Sequence, residues 1–147
     1  MEPLIKALRR DFPHVTFVRG EQPYWSPKTK EVYFCTDGGD EKALGVLHEV
    51  GHALLGHTNY NTDIDLLEKE ALAWAEARKL ATRYKIQING AHIEDCLDTY
   101  REWIYRRSTC PVCSLNGVER STRHYYCINC TENWTVGLSR FCRPYRK

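Results

Sequence analysis

The chain reads as an α+β protein, a short antiparallel sheet with an H-E-x-x-H helix and further helices, followed by a small zinc-ribbon module. Three observations predict this class. Two β-rich runs lie near the start, three segments with helical apolar spacing follow, and two C-x-x-C pairs sit near the end. A chain of 147 residues holds one core of about 100 residues plus a small appended module. The motifs divide it into 1–107 and 108–147.

The elements follow in order. In EPLIKALRR (2–10), Leu4, Ile5 and Leu8 share one helical face, and Pro13 stops any continuation. VTFV (15–18) and EVYFC (31–35) are rich in β-branched and aromatic residues and predict antiparallel strands. The stretch between them contains Gly20, Pro23 and Pro27, with room for a third short strand around Tyr24. Asp37-Gly38-Gly39-Asp40 supplies turn residues and a helix N-cap ahead of EKALGVLHEVGHALLG, which is helical to about Gly56. Two more helices are expected over about 65–84 and 92–107, separated by a turn at IQING. The remainder, 108–147, is rich in cysteine and turn residues.

Net charge is only +2, but it is unevenly placed. Up to residue 107 there are 15 Lys/Arg against 17 Asp/Glu, and from Ser108 onward 6 against 2. A basic tail suits a nucleic-acid or acidic protein partner. No apolar run reaches the roughly 18 residues of a membrane span, and the N-terminus lacks a signal peptide's apolar core. A soluble, cytoplasmic protein without a membrane partner is expected. Seven cysteines, four of them in C-x-x-C pairs, favour metal binding in a reducing compartment over a disulfide framework. The other three, Cys35, Cys96 and Cys142, read as buried thiols.

His48 and His52 are four residues apart. On an α-helix they sit about 40° apart around the axis, so both imidazoles reach one metal ion. Glu49 is offset by about 100°, near enough to touch a metal-activated water without displacing it. Two His ligands, an open position and a general-base carboxylate are what a zinc peptidase requires. Gly51 inside this helix costs about 1 kcal/mol and points to a close backbone approach.

A third protein ligand is needed, and three residues are placed to supply it. His57 would lie about 140° around from His52 on a continuing helix, so it reaches the site only if the helix ends at Gly56 and the chain turns back. Glu68 and Glu70 lie on the next helix. Glu70 falls on its stripe of Leu67, Ala71, Trp74, Ala77 and Ala81, and Glu68 falls toward the edge. A buried carboxylate is costly unless a cation compensates it. The oxyanion donor is open among His57, Tyr60, Tyr84 and His92.

HEVGH followed by EKEALAWA resembles the ImmA/IrrE-type metallopeptidases, small gluzincin-like proteins in which H-E-x-G-H precedes an E-A-x-x-[FW]-A helix. The resemblance covers residues 15–84. It implies His48, His52 and Glu70 as ligands of a catalytic zinc, Glu49 as catalytic base, and a short antiparallel sheet before the active-site helix. Many members add a helix-turn-helix DNA-binding domain, for which this chain has no matching segment.

In the tail, Cys110 and Cys113, then Cys127 and Cys130, form two knuckles whose four thiolates close a tetrahedral site. With no open position, this zinc is structural. Tyr125, Tyr126, Trp134 and Val136 flank the second knuckle and are expected to pack its small core. A peptidase followed by a ribbon is also similar to the SprT-like proteins, which act on DNA-bound proteins, although their H-G-x-x-F context for a third histidine is missing here. The expected function is a zinc-dependent endopeptidase with a protein substrate and two Zn²⁺ ions, one catalytic and one structural. The alternatives are a nucleic-acid- or protein-binding ribbon module with a vestigial peptidase site, and a SprT-like protease.

Overall fold

The computed structural model describes residues 1–36 and 39–137. It has the expected α+β composition. In chain order the elements are α1 (Glu2–Asp11), β1 (Thr16–Arg19), β2 (Tyr24–Ser26), β3 (Glu31–Phe34), α2 (Asp40–Leu54), α3 (Asp63–Tyr84), α4 (Gly90–Ser108), β4 (Val118–Ser121), β5 (His124–Tyr126) and β6 (Asn133–Thr135).

Two compact units emerge, one from Met1–Thr58 with Lys69–Ile93 and the other from Asn59–Glu68 with Glu94–Lys147. The motifs split the chain at 107, whereas packing groups the start of α3 and most of α4 with the cysteine-bearing segment.

In the first unit, α1 buries Leu4, Ile5 and Leu8, each worth about 1.5–3 kcal/mol when withdrawn from water. The sheet order is β1-β3-β2. The third strand forms around Tyr24 as read, and β2 pairs with β3 antiparallel. The expected antiparallel pairing of the two longer runs is corrected, because β1 pairs with β3 in parallel. The chain reverses at 20–23 and again at 27–30, and β3 inserts between the two earlier strands. Val32 and Phe34 of β3 alternate into the core, so the strand with the regular apolar period takes the middle of the sheet.

From Val46 to His52 every residue of α2 is buried, which makes α2 the central helix of this unit. Its N-cap is Gly39, without a side-chain cap; Asp37 and Gly38 lie outside the described residues. Gly51 lets α3 approach closely. A Cβ there would stand 2.6 Å from the carbonyl oxygen of Ala73. The buried face of α3 runs through Leu66, Glu70, Ala73, Trp74, Ala77, Leu80 and Ala81. Ala71, which the sequence places on that stripe, is exposed instead.

The second unit is centred on Leu66, Tyr100 and Trp103, with Tyr60, Leu67 and Ile104 packed against them. Its sheet is antiparallel in the order β4-β5-β6. A charged network ties the helices to this sheet. Arg107 Nε donates to Asp63 Oδ2 at 2.7 Å, and Tyr125 Oη donates to the same oxygen at 2.6 Å. The Arg107 guanidinium lies 4.2 Å from the Trp103 ring centroid. Cys35 and Cys96 are buried, as read; Cys142 lies outside the described residues. No helix among the described residues is long and apolar enough to cross a membrane.

Candidate metal centres

Among the described residues, two groups of side chains bring donor atoms together: His48, His52 and Glu70, and Cys110, Cys113, Cys127 and Cys130. The first group forms where α2 and α3 cross. His48 Nε2 lies 3.1 Å from His52 Nε2 and 3.2 Å from Glu70 Oε2, and His52 Nε2 lies 3.5 Å from the same oxygen. With Zn–N and Zn–O bonds near 2.0–2.1 Å, the edges of a tetrahedral site are about 3.3–3.4 Å. The triangle therefore fits a zinc ion, and all three residues are buried. A carboxylate as buried as Glu70, 1 % exposed, is costly to keep charged unless a cation offsets its desolvation. Glu68 is exposed.

The surroundings favour neutral imidazoles at His48 and His57. Burial pushes His48 below the usual histidine value, and burial, then the nearby His52, pushes His57 down to about 4. The His48 ring stacks on Trp74 with centroids 4.0 Å apart. Its Nδ1 is buried without a hydrogen-bond partner among the described residues. The Trp25 backbone N–H donates to Glu49 Oε2 at 2.8 Å, fixing the orientation of that carboxylate.

His57 reaches the site by the route that required α2 to stop. Gly56 adopts φ +64°, Gly56 N–H donates to Ala53 O, and His57 N–H donates to His52 O. This paired 5→2 and 6→1 arrangement is the Schellman stop. It places His57 Nδ1 2.9 Å from His52 Nδ1, on the side of the His52 ring opposite the Nε2 that faces Glu70. The other oxyanion candidates are spread out. Tyr84 Oη donates to Asp11, Tyr60 packs in the second unit's core, and His92 meets Trp74 edge-on at 6.2 Å.

The cysteine group is built from two knuckles with matching backbone bonds. Cys110 N–H donates to Leu115 O and Ser114 N–H to Cys110 O; Cys127 N–H donates to Glu132 O and Thr131 N–H to Cys127 O. Ser114 and Thr131 take the same left-handed conformation, φ 61° and 63°. Sulfur separations of 3.5 Å (Cys110–Cys130) and 3.4 Å (Cys113–Cys127) exceed the roughly 2.05 Å of a disulfide. They approach the roughly 3.8 Å edge expected of a Zn–thiolate tetrahedron. The Leu115 N–H, then the Asn129 side chain, hold the Cys113 thiol down at about 6. The Glu132 N–H favours a Cys130 thiolate, yet burial and the other sulfurs push that thiol up to about 12. Four crowded sulfurs of this kind fit one shared cation. Tyr125 and Trp134 stack 5.6 Å apart, packing the ribbon as read, and Arg120 lies 3.6 Å over Tyr126.

No family model matches the chain, and neither does any curated protein or solved structure.

Sequence reading missed the contribution of Trp25, whose backbone orients Glu49 and whose indole donates to His57 O at 2.8 Å. An aromatic in a short strand carries no signal for either bond. Trp74 was legible as an apolar helix position, but its stacking on His48 was not.

Proposed function

We propose that the chain is a zinc metallopeptidase that hydrolyses a peptide bond in a protein substrate. The observation that carries this reading is the buried triangle of His48, His52 and Glu70 with Glu49 on the same helix. The same residues carry the chain's resemblance to the ImmA/IrrE-type metallopeptidases. His48 and His52 would hold a zinc ion through Nε2, and Glu70 through Oε2. Bound there, zinc supplies Lewis acidity and makes a water molecule acidic near neutral pH. Glu49, oriented by the Trp25 N–H, would act as the general base that accepts a proton from the attacking water and would return it to the leaving amine. The walls of α2 and α3 keep the three ligands dry, where charge stabilisation is strongest.

A second zinc, held by Cys110, Cys113, Cys127 and Cys130, is structural in this reading. The ribbon recruits a protein or nucleic-acid partner. Val112 and Ile128, at the tips of the knuckles, are 66 % and 72 % exposed, and the tail is basic.

The test separates ligand from base. Glu49→Gln should retain two zinc ions per chain and lose about 10²- to 10⁴-fold in cleavage rate. Glu70→Ala should lose the chelator-labile zinc, while Glu68→Ala keeps it. Casein or a peptide library reports cleavage, and metal analysis reports zinc. Cleavage by Glu49→Gln at the parent rate would refute the assigned mechanism.

A further inference from the structure

We infer that His57 is a positioning residue that holds His52 by its outer nitrogen, so that His52 meets the metal in one tautomer and one orientation. This inference rests on the metal centre proposed above and assigns His57 a place outside the ligand set.

The tautomers follow from the geometry. His52 turns Nε2 toward His48 and Glu70. A neutral imidazole that gives its Nε2 lone pair to a metal carries its hydrogen on Nδ1. His52 Nδ1 lies 2.9 Å from His57 Nδ1, so His52 N–H donates and the His57 lone pair accepts. The His57 hydrogen is then on Nε2. An outer partner of this kind fixes the ring of a metal-binding histidine, and its loss generally weakens metal binding.

Two further contacts hold His57 in place. The Schellman stop at Gly56 fixes its backbone against the end of α2. From the sheet, the Trp25 indole donates to the His57 carbonyl. A chain of contacts thus runs from β2 through His57 and His52 to the ligand triangle. Trp25 also orients Glu49 through its backbone N–H, so one residue of β2 supports both the base and the outer partner of a ligand. The usual outer partners of metal-binding histidines are carboxylates, backbone carbonyls or water. A neutral imidazole is a weaker acceptor than a carboxylate, so the labile zinc is expected to tighten when an anion replaces it.

The experiment measures zinc affinity by competition with a chromophoric chelator, with the ribbon zinc as internal reference. His57→Ala should bind the labile zinc about 10- to 100-fold more weakly than the parent, with the ribbon zinc unchanged. His57→Phe, which fills the space without an acceptor, should match His57→Ala and serves if the alanine variant does not fold. His57→Asn, whose Oδ1 occupies the position of the imidazole Nδ1, should restore most of the affinity, and His57→Asp should restore or exceed it. Parent-like affinity in His57→Ala or His57→Phe overturns the assignment, as does an asparagine variant no better than phenylalanine. A parent that binds only the ribbon zinc overturns the metal centre itself, and the role of His57 with it.

Discussion

His57 and His48 are kept neutral by burial, and this has a consequence for stability. His57 titrates at about 4 in the fold against an ordinary 6.5, and His48 is shifted in the same direction. Below 6.5 the unfolded chain therefore binds protons that the folded chain refuses, and stability falls with pH. The contribution is fully present above 6.5 and is lost as pH drops toward and through about 4. Urea midpoints of chelator-treated protein should fall across that window, and His57→Asn should flatten the profile. A parent midpoint that does not change between those pH values would show that neither imidazole is held neutral. At this scale the sequence already contained His48, Glu49 and His52, because i to i+4 spacing on a helix carries its own geometry. Glu70 was legible as a carboxylate on an apolar stripe. Trp25 was not, since its backbone N–H and indole bond Glu49 and His57, partners 24 and 32 residues further along the chain.

The crossing of α2 and α3 depends on Gly51. Alanine is favoured over glycine inside a helix by about 1 kcal/mol. Its Cβ, however, would meet the backbone of Ala73 at 2.6 Å, and overpacking against atoms that cannot rotate away costs about 1–3 kcal/mol. The steric term wins, so Gly51→Ala should lower the melting temperature. It should also weaken the labile zinc, because Ala73 lies one helical turn beyond Glu70. A Gly51→Ala protein as stable as the parent, with the same zinc affinity, would show that α3 can shift freely. The helices were legible as elements from apolar spacing, with ends displaced by a residue or two. Strand direction was not. Two β-rich runs of similar composition do not say whether a third strand will leave room between them, and it was the insertion of β3 that made its pairing with β1 parallel. The matching hydrogen bonds of the two knuckles likewise follow from backbone conformation at Ser114 and Thr131, residues with no compositional signal for it.

The two C-x-x-C pairs belong to a compact unit that also contains Asp63 and most of α4. Asp63 is 2 % exposed and receives Arg107 and Tyr125, so disturbing the ribbon should reach back into helix. We expect Cys113→Ser to lose the structural zinc and, with it, hydrogen-exchange protection in α4 as well as in β4–β6. The labile zinc proposed for the His48, His52 and Glu70 site serves as the reference for the other unit. Protection in α4 that survives loss of the ribbon zinc would return the functional boundary to residue 107. What the sequence alone determined were the α+β class, the helical pair of histidines and the four cysteines, all of them features set by local spacing. Tertiary structure decided the direction of β1 against β3, the grouping of α4 with the knuckles, and the convergence of Glu70 and His57 on opposite sides of His52. Those depend on which buried faces meet, a choice made by packing and the need to compensate buried charge, and periodicity along one segment does not contain it.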